Sequence, residues 1–370
     1  MKKLVNRNCI ISLIIIIFFL LESCEPLVDT IPEMRNCESY IKKNAQIFQA
    51  KDTILVMTWN IRFGCGVDIL WFGDACGDRT VLYKKEVETN LDGLIARINQ
   101  INPDILLLQE VDLYSKRSAY IDQMQYILDR TYFGYGYYGT NWKSQFIPSD
   151  GIGKMDEGNA IFSVWPLSEG TLNPLPLRTD VDALTKFFYV RESVLSGLVT
   201  MPDGKKFYAI NTHLSAYSTD DTKYRQLLKY ISVCDSLSFT GNPIVTGGDY
   251  NLIPPNADIT DYCLIDACPG EHFHSHMDDP MHKEGSYFTP EINWLNAFYN
   301  KYESSLPLEI YKSDQPKYYS HSSDPNIDWN RSLDYLFTNR HFVNGTHKVW
   351  QEFRKETDHA AVTALWTFKK

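Results

Sequence analysis

Residues Val87 to Glu110 read VETNLDGLIARINQINPDILLLQE, and this stretch decides the fold. Val87, Leu91, Leu94, Ile95, Ile98 and Ile101 fall at the three-, four- and seven-residue spacings that line one face of an amphipathic helix. Asn102-Pro103 ends that helix. Asp104 to Glu110 follows as a short apolar run of strand length, buried on both sides, that delivers a carboxylate at its C-terminal end. A helix feeding a buried strand with a functional group at its tip predicts an α/β sandwich rather than an all-β protein.

Working outward, Ile54 to Ile61 reads as a strand, its positions Leu55, Met57, Trp59 and Ile61 alternating with a second face, and Arg62-Phe63-Gly64 closes it as a loop. Further strands are expected at Asn159 to Val164, Val194 to Thr200, Phe207 to Thr212, Pro243 to Gly247, Leu333 to Thr338 and Ala361 to Phe368. Tyr224, Leu227, Leu228 and Ile231 mark a helix over Lys223 to Leu237. No repeat, low-complexity tract or linker interrupts residues 52–370, which read as one domain. A net charge of −10 argues against capture of nucleic acid through a basic surface, although a metal can supply positive charge locally.

The N-terminus carries Lys2, Lys3 and Arg7 ahead of an apolar stretch from Ile10 to Leu21, the layout of a signal peptide. That stretch is short of the roughly 20 residues a spanning helix needs. Leu21-Glu22-Ser23-Cys24 resembles a bacterial lipobox, with Glu22 departing from the usual small or apolar residue. The expected organisation is therefore a signal with lipobox over residues 1–24, lipidation at Cys24, a tether over 25–51 and the catalytic domain over 52–370. The expected location is the outer membrane or cell surface, with soluble export as the alternative. Cys37, Cys65, Cys76, Cys234, Cys263 and Cys268 remain in an oxidising compartment. Local bridges Cys65–Cys76 and Cys263–Cys268 are one reading, and buried free thiols, Cys234 especially, the other. With no C-x-x-C pair, a thiolate zinc site is not expected.

Polar residues at strand ends fall in local frames: Thr58-Trp59-Asn60-Ile61-Arg62, Leu108-Gln109-Glu110-Val111, Asn211-Thr212-His213-Leu214, Gly247-Gly248-Asp249-Tyr250-Asn251-Leu252 and Thr357-Asp358-His359-Ala360. Gly158-Asn159-Ala160-Ile161 and Leu333-Asp334-Tyr335 add two more. Glu110 is a hard oxygen donor of the kind Mg²⁺ prefers, or else a capping or salt-bridging acid. Asp249 and Asn251, two apart, share one face of an extended segment, or form an Asx turn.

In their joint order these frames resemble the endonuclease/exonuclease/phosphatase superfamily of deoxyribonuclease-like nucleases, neutral sphingomyelinases and inositol polyphosphate 5-phosphatases, over residues 54 to 368. The resemblance implies a four-layered α-β-β-α sandwich, two packed mixed sheets flanked by helices, with the site at the C-terminal rim of the sheets. It implies Mg²⁺, with Mn²⁺ or Ca²⁺ as substitutes, beside Asn60, Glu110 and Asp358. It also implies that Asp249 and Asn251 position the attacking water, that Asp334 orients His359 as a phosphate contact or general base, and that His213 serves the leaving oxygen. A core histidine is the plainer alternative for His213. Asn159 and Arg191 are candidate substrate contacts, Arg191 being equally a surface residue.

The expected reaction is in-line attack of water on phosphorus by a monomer. A lipid or small-molecule phosphodiester, sphingomyelinase-like, ranks first, an extracellular nuclease second, and a non-catalytic surface binding protein is the reading of another class. Two segments stay open. Tyr132 to Tyr138 with Trp142 and Phe146 is either a wedge for lipid, sugar or base, or core-lining strand. His272, His274, His276 and His282 either hold a second metal or belong to a solvated loop.

Overall fold

The structure is a computed structural model and describes residues 27–72, 76–147, 151–273, 281–324 and 326–369. The signal stretch, Cys24, His274 and His276 lie outside the described residues.

Two mixed sheets pack face to face. One holds β1 (Arg35–Asn36), β7 (Leu167–Pro174), β8 (Ser193–Thr200), β9 (Lys206–His213), β10 (Ile244–Asp249), β12 (Asp334–Thr338) and β11 (Glu303–Ser304), in that spatial order. The other runs β13 (His341–Phe342), β15 (Ala361–Thr367), β3 (Thr53–Asn60), β4 (Ile105–Asp112), β6 (Gly151–Ser163), β5 (Tyr135–Ile147) and β2 (Glu38–Ile41), with β14 (Lys348–Trp350) also on β15. Two pairs are parallel, β3 with β4 and β9 with β10. The expected strands are all present, and the α/β sandwich is as the decisive stretch implied.

Helix α1 (Lys84–Ile101) buries the six apolar residues read from its periodicity against the second sheet. Gly93 in its middle costs about 1 kcal/mol of helix propensity, and six buried side chains at roughly 1.5–3 kcal/mol each outweigh it. Asn102 closes the helix in the left-handed region, φ 58°, ahead of Pro103. Short helices α2 (Gln123–Arg130) and α3 (Ala183–Phe188) follow. Helix α4 (Thr222–Ser238) covers the first sheet with Leu227, Tyr230, Ile231 and Cys234.

The tether expected over 25–51 is corrected. Asp29 N–H bonds the Lys143 carbonyl, β1 pairs with β7, and β2 pairs with β5 from Glu38 to Ile41. The segment thus closes one edge of each sheet, where unpaired strand edges would otherwise stand open. The disulfide expectation is corrected as well: Cys76 pairs with Cys268, 192 residues away. Cys65, Cys234 and Cys263 are buried and lie outside that bridge. Cys65 is packed into the main core, so nearness in sequence does not bring it to Cys76.

Tyr137, Tyr138 and Phe133 of the aromatic stretch are core, whereas Trp142 lines the cleft described next. Among the described residues no helix is long and apolar enough to cross a membrane.

Candidate active site

The strand ends create the site. Asp249 ends β10, paired with His213 at the end of β9 on one side and with Asp334 at the start of β12 on the other. Gly248 makes this close approach possible, since at φ 145° a Cβ would lie 1.9 Å from the Thr212 carbonyl oxygen. On the facing sheet Asn60 ends β3, and β4 bulges. Gln109 and Glu110 stand opposite the single residue Asn159 between the pairs Leu108–Ala160 and Val111–Gly158. Glu110 sits in the left-handed region, φ 55°, and the bulge turns its carboxylate toward the cleft. Asn211 of β9 reaches across the sheets to steady the bulge, donating to the Leu108 and Ala160 carbonyls at 2.7 and 2.8 Å while its oxygen accepts from Gln109.

The hub is Asp249 Oδ2. Asn60 Nδ2 donates to it at 3.1 Å, and His213 Nε2 and His359 Nε2 stand 3.4 and 3.5 Å away. Its other oxygen accepts the Asn251 N–H at 2.9 Å, so the Asx turn exists and works within the site. Asn60 Nδ2 also donates to Glu110 Oε1 at 2.9 Å. The Asn60 oxygen accepts the Arg62 N–H at 3.0 Å, and a backbone donor there fixes which end of the amide faces the carboxylates. Asn60 is therefore placed as a donor bridging two acids.

His359 Nδ1 pairs with Asp334 Oδ2 at 2.8 Å, and Ser320 Oγ donates to the same oxygen at 2.7 Å. Burial opposes a charged His359, but Asp334 and Asp249 outweigh it and raise its pKa to about 10. Burial likewise opposes charge on His213, and Asp249, Glu110 and Glu157 prevail and raise its pKa. Asp358 stands 3.5 Å from Arg62 Nε.

A cavity of about 690 Å³ is lined by Glu110, His213, Asp249, Asn251, Asp358 and His359 together with Trp71, Phe72, Trp142, Phe188, Tyr189 and Tyr217. Its size is that of a small-molecule or head-group pocket. Two expected substrate contacts do not line it. Asn159 lies opposite the bulge and donates to the Ser193 carbonyl, and Arg191 turns its guanidinium to the carbonyls of Lys186 and Phe187 at the end of α3.

Residues without a role in the sequence reading also line the cavity. Burial pushes the Glu157 carboxyl up to about 8 against the pull of Arg117 and His213. Glu157 directly precedes the Gly158-Asn159 frame, the one signal that pointed to it. His321 lies 4.4 Å from the His359 ring, and burial with the nearby positive charges holds it far below the usual histidine range.

With this geometry in view, the Endonuclease/Exonuclease/phosphatase family model matches residues 57–359. The chain belongs to that family. Members of the endonuclease/exonuclease/phosphatase family are phosphoester hydrolases, and this chain is such an enzyme. A family protein from Beutenbergia cavernae DSM 12333 superposes with a TM-score of 0.57 at 18% identity, over 86% of this chain and 72% of that one. A conserved protein of unknown function from Enterococcus faecalis V583 gives a TM-score of 0.50 at 14% identity, over 85% and 100%. A mannosyl-6-phosphatase from Bacteroides thetaiotaomicron VPI-5482 gives 0.49 at 13% identity, over 85% and 99%. At such identities the likeness is one of fold alone. No curated protein sequence matches the chain.

The endonuclease/exonuclease/phosphatase family is divalent-metal dependent, and buried donor atoms of Asp249, Asp334 and His359 lie within 4.8 Å of one another. Because the Asp334–His359 contact is already a carboxylate–imidazole hydrogen bond, Asp249 and Glu110, linked by the Asn60 amide, are the better-fitting oxygen donors. That set is hard, with Asp358 beside it in the cavity lining, and suits a cation of the Mg²⁺ type.

Proposed function

We propose that the protein is a Mg²⁺-dependent phosphodiesterase acting on a lipid or small-molecule ester by in-line attack of water. The observation that carries this reading is the meeting of Asn60, His213 and His359 on one Asp249 oxygen at the base of an aromatic-lined cavity. Asp249 orients the attacking water and takes its proton, and Asn251 holds that loop by donating its side-chain N–H to the Leu214 carbonyl. His359, oriented by Asp334, contacts a phosphoryl oxygen. His213, whose pKa its carboxylate neighbours raise, gives a proton to the leaving oxygen. Glu110 and Asp249, with Asp358 nearby, would hold Mg²⁺, which would supply polarisation of the phosphoryl group and offset its developing charge.

The cavity's aromatic lining and size favour an ester with a ring or apolar portion over a duplex, in keeping with the acidic chain. Export with a lipid anchor at Cys24 belongs to the same proposal and is tested by mass spectrometry of the mature N-terminus.

The decisive assay offers bis-p-nitrophenyl phosphate, sphingomyelin, inositol phosphates and plasmid DNA in parallel with Mg²⁺. Hydrolysis of a small or lipid diester is expected, with Asp249→Ala and His359→Ala each losing roughly 100-fold or more. Degradation of plasmid alone would move the assignment to a nuclease. Inactivity on every substrate would favour a binding protein.

A further inference from the structure

The segment from Asp261 to Lys283 is rich in ligand chemistry that the catalytic cleft does not use. It carries Asp261, Cys263, His272 and His282 among its described residues. We propose that Asp261, Cys263 and His282 form a second cation site, apart from the catalytic centre, for a borderline-soft divalent ion such as Zn²⁺.

One donor atom from each of the three, a carboxylate oxygen, a thiol sulfur and an imidazole nitrogen, lies within 4.8 Å of the others. Donors at bond lengths of about 2.0–2.3 Å from a shared tetrahedral Zn²⁺ stand at comparable separations. The arrangement is held by the backbone. Tyr262 N–H bonds the Ser286 carbonyl, Phe288 N–H bonds the Thr260 carbonyl, and Asp261 bridges to Tyr287, so the limbs bearing Asp261, Cys263 and His282 run side by side.

Each donor is also oriented. The Lys283 N–H points at Cys263 Sγ over 3.3 Å, opposing the burial and the Asp261 carboxylate that push the thiol up to about 12, so the sulfur ionises on binding the cation. Asp261 Oδ1 accepts the Cys263 N–H at 3.0 Å, which folds the carboxylate back over the thiol. The His282 ring lies flat on Tyr287, centroids 3.5 Å apart and planes within 8°.

The mixed set identifies the ion class. A thiolate disfavours Mg²⁺ and Ca²⁺, whereas one S, one N and one O donor with a water in the fourth position suit Zn²⁺. The absence of a C-x-x-C pair argues against a multi-thiolate site and is silent on a single thiolate completed by histidine and carboxylate. The three donors do not line the cavity, but Lys283, Glu284, Gly285 and Ser286, which continue directly from His282, do. The ion would therefore fasten one wall of the cleft, alongside the Cys76–Cys268 bridge in the same segment.

The test uses the full chain with its disulfide intact, stripped by EDTA and titrated with Co²⁺ and with Zn²⁺. The expected result is a tight equivalent whose Co²⁺ spectrum carries a thiolate-to-metal charge-transfer band. Cys263→Ser should abolish that band and weaken Zn²⁺ binding beyond the roughly 10- to 100-fold that losing an outer-shell partner costs. His282→Gln should weaken it likewise. Glu110→Gln should change neither, which keeps this site's outcome separate from that of the catalytic reading. Binding without a sulfur band, a band that persists in Cys263→Ser, or His282→Gln binding as tightly as the unaltered chain would overturn the proposal.

Discussion

His359 and Glu157 show how burial and charge compete for a proton within the lining of one cavity. At His359 two carboxylates overcome burial and keep the ring charged, whereas at Glu157 burial overcomes Arg117 and His213 and keeps the carboxyl neutral into the neutral range. The Glu157 shift has a stability consequence. Its folded value of about 8 exceeds the ordinary 4.5, so between those values the unfolded chain has lost a proton that the folded chain keeps. Stability from this group is therefore present below about pH 4.5 and drains away as pH rises toward about 8, by up to roughly 1.4 kcal/mol per pH unit. Glu157→Gln should flatten that decline in a series of thermal melts, and parallel curves for the two proteins would contradict it. The sequence showed Asp249, Asn251, Asp334 and His359 because each stands at a strand end inside a local frame. It could not show the Asn60 amide's orientation, which depends on the Arg62 N–H, nor Glu157, whose importance comes from burial beside chains remote in sequence.

Among the elements, periodicity made α1, β3, β4 and β10 legible, since burial of a repeating face is written locally. The strands β1 and β2 escaped because they are two and four residues long and largely exposed, and what defines them is the sheet edge they meet. The β4 bulge escaped for a related reason: it is a mismatch of register with β6, not a property of either strand alone. Since β2 covers the β5 edge and β1 the β7 edge, a chain shortened to begin at residue 52 should melt several degrees lower and self-associate in light scattering. Unchanged melting and a monodisperse product would restore the tether.

At the scale of the whole molecule, the Cys76–Cys268 bridge ties two loops that both contribute to the cleft, one bearing Trp71 and Phe72, the other Asp266 and Lys283 to Ser286. Closing a loop of 192 residues should contribute on the order of 2–5 kcal/mol by restricting the unfolded chain. Replacing both cysteines by serine should lower the melting temperature accordingly, and an unaltered melt would show that the loops are held by other contacts. No local spacing rule could reveal that pair, because its partners meet only after both sheets have assembled. The same holds for the catalytic group, drawn from the ends of six strands in two sheets. The most direct test of its convergence is Mg²⁺ titration of EDTA-stripped protein, wild type beside Glu110→Gln, read by bis-p-nitrophenyl phosphate hydrolysis. Saturable recovery in the wild type and a large loss of Mg²⁺ response in the variant are predicted; full activity after stripping, or identical titrations, would contradict the account.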